Sequence, residues 1–170
     1  GDAALRIVLT RGGRRLFLTE PLPAHPDTIR VATVVYAPSV ILTGVKSISY
    51  AANMEATRIA AARGADEAVL VRPDGIVLEA PTSAVFWVSP EGGLRTPSLD
   101  TGILDSITRD RIARELHVEE GAWPIEDLSA MNARILPITS VIVPIWLVRA
   151  MVPWRETIEV LPAALVCGVS

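Results

Sequence analysis

The chain has 170 residues, half of them hydrophobic and about a fifth charged, a balance that builds one sizeable core and excludes a disordered polypeptide. A net charge of −3 without a basic stripe excludes nucleic acid as the expected partner. A single cysteine, Cys167, excludes an internal disulfide framework and fits a reducing, cytoplasmic compartment.

The chain opens into Leu5 to Thr10 and Arg15 to Thr19, which alternate around Gly12-Gly13 and predict a hairpin already inside a fold, with further sequence expected before it. Pro21, Pro23 and Pro26 then mark a linker or extended crossing. The β-branched run Ile29 to Tyr36 predicts a strand, and Val40-Ile41-Leu42 a short extended piece after Pro38. Ser47 or Ser49 is expected to cap a helix over Tyr50 to Arg63, whose apolar positions Ala52, Ala56, Ile59 and Ala60 repeat at the helical period and which Gly64 stops.

Glu67 to Val71, Pro73-Asp74-Gly75 and Ile76 to Glu79 form a second hairpin signal. Val85 to Val88 and Leu94 to Thr96 flank the turn Pro90 to Gly93. Asp105 or Ser106 then caps a helix over Ile107 to Leu116, and a short helix is expected near Glu126 to Met131. The stretch 135–148 is the most apolar, but it is shorter than the roughly 20 residues of a membrane span. Pro137 and Pro144 interrupt it, so buried strands are expected and a membrane partner is not. Strands and helices mixed with hairpins predict an α+β, or irregular mixed α/β, fold rather than a strict βαβ winding.

Of 16 basic residues, only Lys46 is a lysine. Arginine serves surface solubility as well as lysine does, but its guanidinium stays protonated and is no nucleophilic amine. A lone lysine in such a background marks a position where an amine is wanted. Lys46 stands at a strand-to-helix junction, Glu79 ends a hairpin strand before Ala80-Pro81-Thr82-Ser83, and Ser106-Ile107-Thr108 opens a helix. A helix start offers free N–H groups and a dipole suited to phosphate. An amine, a carboxylate and a phosphate cradle are what pyridoxal phosphate asks of a protein. Taken singly, each has a blander reading: a solvated lysine, an exposed glutamate, an ordinary first-turn threonine.

Gly44-Val45-Lys46-Ser47-Ile48-Ser49-Tyr50-Ala51-Ala52-Asn53 resembles the Schiff-base lysine segment of class IV (fold type IV) aminotransferases, a group that includes branched-chain aminotransferases, D-amino acid aminotransferases and aminodeoxychorismate lyases. The likeness continues through Gly64 to Leu70 and Asp74 to Glu79. It then follows Phe86, Leu94-Arg95-Thr96 and Leu104 to Arg109, covering residues 44–128.

The resemblance implies that Lys46 carries pyridoxal 5′-phosphate, that Glu79 pairs with its pyridine nitrogen, and that Ile107 and Thr108 bind its phosphate. It further implies that Leu104 packs on the ring, that Tyr50 bonds the phenolic oxygen, and that Thr139 supplies a second phosphate contact. Arg6 corresponds to a substrate-carboxylate arginine of some members. Ala84 stands where the family pattern has Asn, and Pro81 where it has a small residue.

On this resemblance residues 1–22 are the remnant of a small N-terminal domain with its linker. Residues 23–170 are the cofactor-binding large domain, with 130–170 diverging from the family pattern as a truncated or frame-shifted product would. The implied activity is amino-group transfer between an amino acid and a 2-oxo acid by a branched-chain-like enzyme acting as a homodimer, with burial expected around the lysine amine. Two alternatives stand beside it: an aminodeoxychorismate lyase using the same residues, and a folded remnant that turns nothing over.

Overall fold

A computed structural model of the chain describes residues 3–21, 29–129 and 136–138. The hairpin pairs β1 (Ala3–Leu9) with β2 (Arg15–Pro21) in antiparallel register, Ile7 opposite Phe17. Gly13 takes the left-handed φ of +81° that the tight connection requires. Leu5, Ile7, Leu9 and Phe17 share one face of this hairpin and are all exposed.

Two parallel units follow. Strand β3 (Val31–Val35) runs through α1 (Ala51–Ala62) into β4 (Glu67–Val71), and β3 pairs with β4 in parallel, Val34 opposite Leu70. Strand β5 (Ala84–Val88) turns back into β6 (Leu94–Pro97). From there α2 (Ile107–Glu115) crosses to β7 (Val118–Gly121), which lies parallel to β6. After α3 (Ile125–Ser129), β8 (Leu136–Ile138) pairs antiparallel with β5 and completes the order β7-β6-β5-β8. The fold is mixed, with two βαβ crossovers set among hairpins, as the irregular spacing of elements predicts.

Strand β4 is buried on both faces, which is why it reads as an unbroken apolar run. Ala68 and Leu70 join Val34, Leu78 and Ile103 beneath α1, while Val69 and Val71 face Val85, Trp87 and Leu128. Alternation along β5 sends Val85 and Trp87 into that second cluster, and Ala84 and Phe86 into a third with Leu94 and Ile112. Ala56 and Ala60, four apart, are the buried residues of α1, so its small side chains let it approach the sheet closely.

Several local expectations are corrected. Val40–Leu42 is a 3-10 turn, not an extended piece, closed by a bond from the Leu42 N–H to the Ser39 carbonyl at 2.9 Å. Neither Ser47 nor Ser49 caps α1. The Ser47 hydroxyl accepts from the Ser49 N–H at 3.0 Å instead, and Tyr50 occupies the cap position without a side-chain bond. Of the two candidates for α2, Ser106 is the cap, and the helix ends at Glu115. The short third helix begins one residue before the expected Glu126. Apart from Leu136–Ile138, the 135–148 stretch lies outside the described residues. Among the described residues no helix is long and apolar enough to cross a membrane.

Candidate active site

Lys46 follows the 3-10 turn and Gly44, whose φ of +73° redirects the chain toward α1. Its side chain is exposed rather than buried, and Nζ lies 5.7 Å from the centre of the Tyr50 ring. Lys46 lines a small cleft of about 30 Å³ with Tyr50, Glu79, Thr82, Ser83 and Ser106. Tyr50 and Glu79 also line a larger cleft of about 140 Å³, together with Tyr36, Asn53 and Leu104. Three segments far apart in sequence thus meet: the turn before α1, the end of the second hairpin, and the start of α2.

Glu79 is placed by the ladder of that hairpin, its carbonyl accepting from the Leu70 N–H at 2.9 Å. Its carboxylate accepts from the Leu104 N–H, 3.3 Å from each oxygen. Burial pushes its pKa up to about 7, against the opposing pull of the Leu104 N–H and the positive charges of Lys46 and Arg109. The raised acid thus stands in a cleft beside an amine, a combination in which perturbed carboxyls and functional sites tend to coincide.

Ser106 turns its Oγ onto the Arg109 N–H at 3.4 Å and starts α2. Ile107 and Thr108, the next two residues, have N–H groups that helix geometry leaves without an intrahelical acceptor. Neither lines the two clefts, and the Ile107 side chain is 80% exposed; Ser106 represents this turn at the cleft wall. Arg6 lies in β1, ion-paired to Glu20 at 3.1 Å, and lines neither cleft. Thr139 lies outside the described residues.

The structure gives roles to groups that the sequence named without assigning them one. Ser83 is 4% exposed and its Oγ has no hydrogen-bond partner among the described residues, an orphaned polar atom in the cleft wall. Asn53 donates from Nδ2 to the Pro81 carbonyl and so ties α1 to the loop after Glu79. Proline at this point keeps the carbonyl that the tie uses. Ala84, where the pattern has Asn, is buried at the start of β5. The cap signal at Ser106 was legible in sequence; the orphaned hydroxyl, which depends on tertiary packing, was not. Among the described residues no cluster of His, Cys, Asp or Glu suits a metal ion.

The profile of the family described as amino-transferase class IV matches residues 1–150. A Methanocaldococcus jannaschii protein named as a candidate branched-chain-amino-acid aminotransferase is 33% identical over 144 residues, 74% of this chain and 49% of its own length. The aminodeoxychorismate lyase of Bacillus subtilis is 38% identical over 88 residues, 49% of this chain and 30% of its own. A hypothetical aminotransferase from Mycobacterium tuberculosis, solved in a PLP-bound form, superposes with a TM-score of 0.64 at 27% identity. That match covers 75% of this chain and 53% of the other. The chain thus spans about half or less of the length of these relatives. With a family match along most of its length and the amine, acid and helix start gathered at one place, the chain belongs to the class IV aminotransferase family.

Proposed function

We propose that this chain carries the cofactor-holding half of a pyridoxal-phosphate-dependent amino-group-transfer site, with Lys46 as the amine. The observation that carries the reading is the convergence of the lone lysine, a carboxyl raised toward neutrality and the start of α2 around one cleft.

The donor set fits the group by its chemistry. Lys46 supplies an amine for an aldehyde carbon, Glu79 an acid for a ring nitrogen, and the Ser106-Ile107-Thr108 turn supplies N–H groups for a phosphate. The orphaned Ser83 hydroxyl adds a buried polar atom that a bound ligand would satisfy. Tyr50 is assigned to the phenolic oxygen and Leu104 to the ring face. The roles of Arg6 at a substrate carboxylate and Thr139 at the phosphate rest on the resemblance alone, as does the division at residues 1–22 and 23–170.

When bound, pyridoxal phosphate supplies an electron sink that makes a substrate α-proton removable. Lys46 Nζ, lining the same cleft, would be the group to take that proton and return it. Glu79 keeps a proton at the ring nitrogen, and its burial favours sharing one over standing fully ionised. Tyr50, beside both the amine and the acid, limits where the ring can sit.

The substrates of this reading are an amino acid and a 2-oxo acid, with branched-chain members supported by the archaeal relative. The lyase reaction uses the same residues and is supported by the likeness to the Bacillus enzyme. A homodimer belongs to the same reading, supported by Val40, Ile41 and Ile48, exposed apolar residues flanking Lys46 in the chain. A cytoplasmic location fits the single cysteine.

The test is borohydride reduction after incubation with pyridoxal phosphate, then peptide mass mapping. A phosphopyridoxyl adduct on the Lys46 peptide, absent in Lys46→Ala and reduced in Thr108→Ala, is expected, with the N-terminal amine as internal control. An adduct confined to that amine would refute the cofactor site and leave a remnant without turnover. Given an adduct, release of pyruvate and an aromatic amine from aminodeoxychorismate would select the lyase over amino transfer.

A further inference from the structure

Between Pro97 at the end of β6 and Ile107 at the start of α2 the chain makes one loop, residues 98–106. It carries Gly102, packed against Pro38, Ile103 in the core beneath α1, Leu104 with its N–H on Glu79, and Ser106 at the Lys46 cleft. Immediately beyond the loop stands Arg109, 2% exposed. Its Nη2 donates back across the loop's base to the Pro97 carbonyl at 2.7 Å and also to the Glu120 carboxylate on β7. Its backbone N–H meets the Ser106 hydroxyl, while its Nε has no partner among the described residues.

A buried guanidinium with a nitrogen unpartnered among the described residues is a costly way to hold a helix. An apolar side chain would pack there without that cost, but it would reach neither a carbonyl nor a carboxylate. Lysine carries the charge, but its flexible stem lacks the rigid planar group that fixes Nη2 between the Pro97 carbonyl and the Glu120 carboxylate. We propose that Arg109 is a positioning residue: its guanidinium staples the two ends of the 98–106 loop and thereby holds the Leu104 amide against the Glu79 carboxylate.

Its charge acts in the same sense. Glu79 is faced by Lys46 from the turn before α1, by Tyr50 at the start of α1 and by Arg109 from α2, and both cations favour its ionised form against burial. Glu120, paired with Arg109 from β7, partly masks one of them. The inference rests on reading Glu79 as the cofactor's acid, but its test is read on the cofactor-free chain.

The experiment is a pH titration of the Leu104 amide signal in the ¹⁵N-labelled full chain, which reports both the Glu79 contact and its ionisation. In the wild type the signal is expected to move with a midpoint of about 7. In Arg109→Met the midpoint moves up and the excursion of the signal shrinks. In Arg109→Lys, which keeps the charge but not the fork, the midpoint returns toward wild type while the excursion stays small.

Arg109→Met with midpoint and excursion both unchanged would overturn the proposal. Should circular dichroism find Arg109→Met unfolded, Glu120→Gln decides. That variant keeps an acceptor for the staple and unmasks the charge, so the midpoint falls with the excursion intact; an unmoved midpoint overturns the proposal. A missing Lys46 adduct in the borohydride experiment would refute the cofactor reading and leave this coupling standing.

Discussion

The backbone N–H of Leu104 lies 3.3 Å from both carboxylate oxygens of Glu79, a shared and long contact that only partly offsets the burial of the acid. The folded chain therefore favours protonated Glu79 more than an unfolded chain does.

The first prediction follows from the sign of that preference. The pKa of Glu79 is raised from 4.5 to about 7, so the stability due to its protonated form is fully present below pH 4.5 and is lost as pH rises through 7. Glu79→Gln removes this dependence. At pH 8 the variant is expected to exceed the wild type by about 3 kcal/mol, and near pH 4 to match it. Urea unfolding at both pH values checks this; equal stabilities at pH 8 would show that the carboxyl bears no such burden.

The second prediction contrasts two glycines of similar backbone conformation. Gly102 has φ +95°, and an added Cβ would meet Pro38 Cβ at 3.2 Å and Cγ at 3.3 Å; Gly75 has φ +88° and open space around it. Gly75→Ala is expected to cost about 1 kcal/mol for the left-handed backbone alone. Gly102→Ala adds a steric term, for a total of about 2–3 kcal/mol. Because the displaced partner belongs to the loop leading to Lys46, only Gly102→Ala should shift the Leu104 amide signal. Equal losses in thermal unfolding would mean that Pro38 gives way freely.

What the sequence revealed were signals contained in a few consecutive residues. Gly64 stops α1 at φ +75°, Gly75 closes the second hairpin, and Ser106 caps α2, each for a local steric or hydrogen-bonding reason. The 3-10 turn at Val40–Leu42 was hidden because β-branched residues also suit a strand. Roles set between distant segments were not legible. Ser83 is orphaned only because of what packs around it, and Arg109 gains its place by reaching Pro97 and Glu120. The amine and the acid were picked out from the lone lysine and the hairpin end and then matched to a family pattern; their meeting at one cleft needed the fold.

A third prediction concerns the far side of the sheet. Asp127 on α3 accepts from Trp87 Nε1 at 3.0 Å and from Arg95 Nη1 at 2.8 Å, and Arg95 stacks over Trp123 at 4.4 Å. Trp87 is among the most deeply buried side chains. Asp127→Ala leaves its indole N–H unpartnered and is expected to cost about 1–3 kcal/mol. Asp127→Asn keeps an acceptor and should retain most of that stability. Comparison of the two by urea unfolding decides whether the hydrogen bond or only the packing of α3 matters.

The last prediction separates the structural duty of Ser106 from its place in the cleft. Its hydroxyl caps α2, so Ser106→Ala should cost about 1 kcal/mol. Ser106→Asp supplies an equivalent cap and places a negative charge where the helix dipole welcomes it, so stability should hold. That carboxylate would stand in the wall of the Lys46 cleft, beside the N–H groups assigned to a phosphate. The repulsion between two anions should abolish the phosphopyridoxyl adduct in a chain as stable as the wild type. Alanine, by contrast, should weaken the adduct only modestly. If the aspartate variant still forms the adduct at wild-type yield, the phosphate lies elsewhere, and the start of α2 is a structural cap alone.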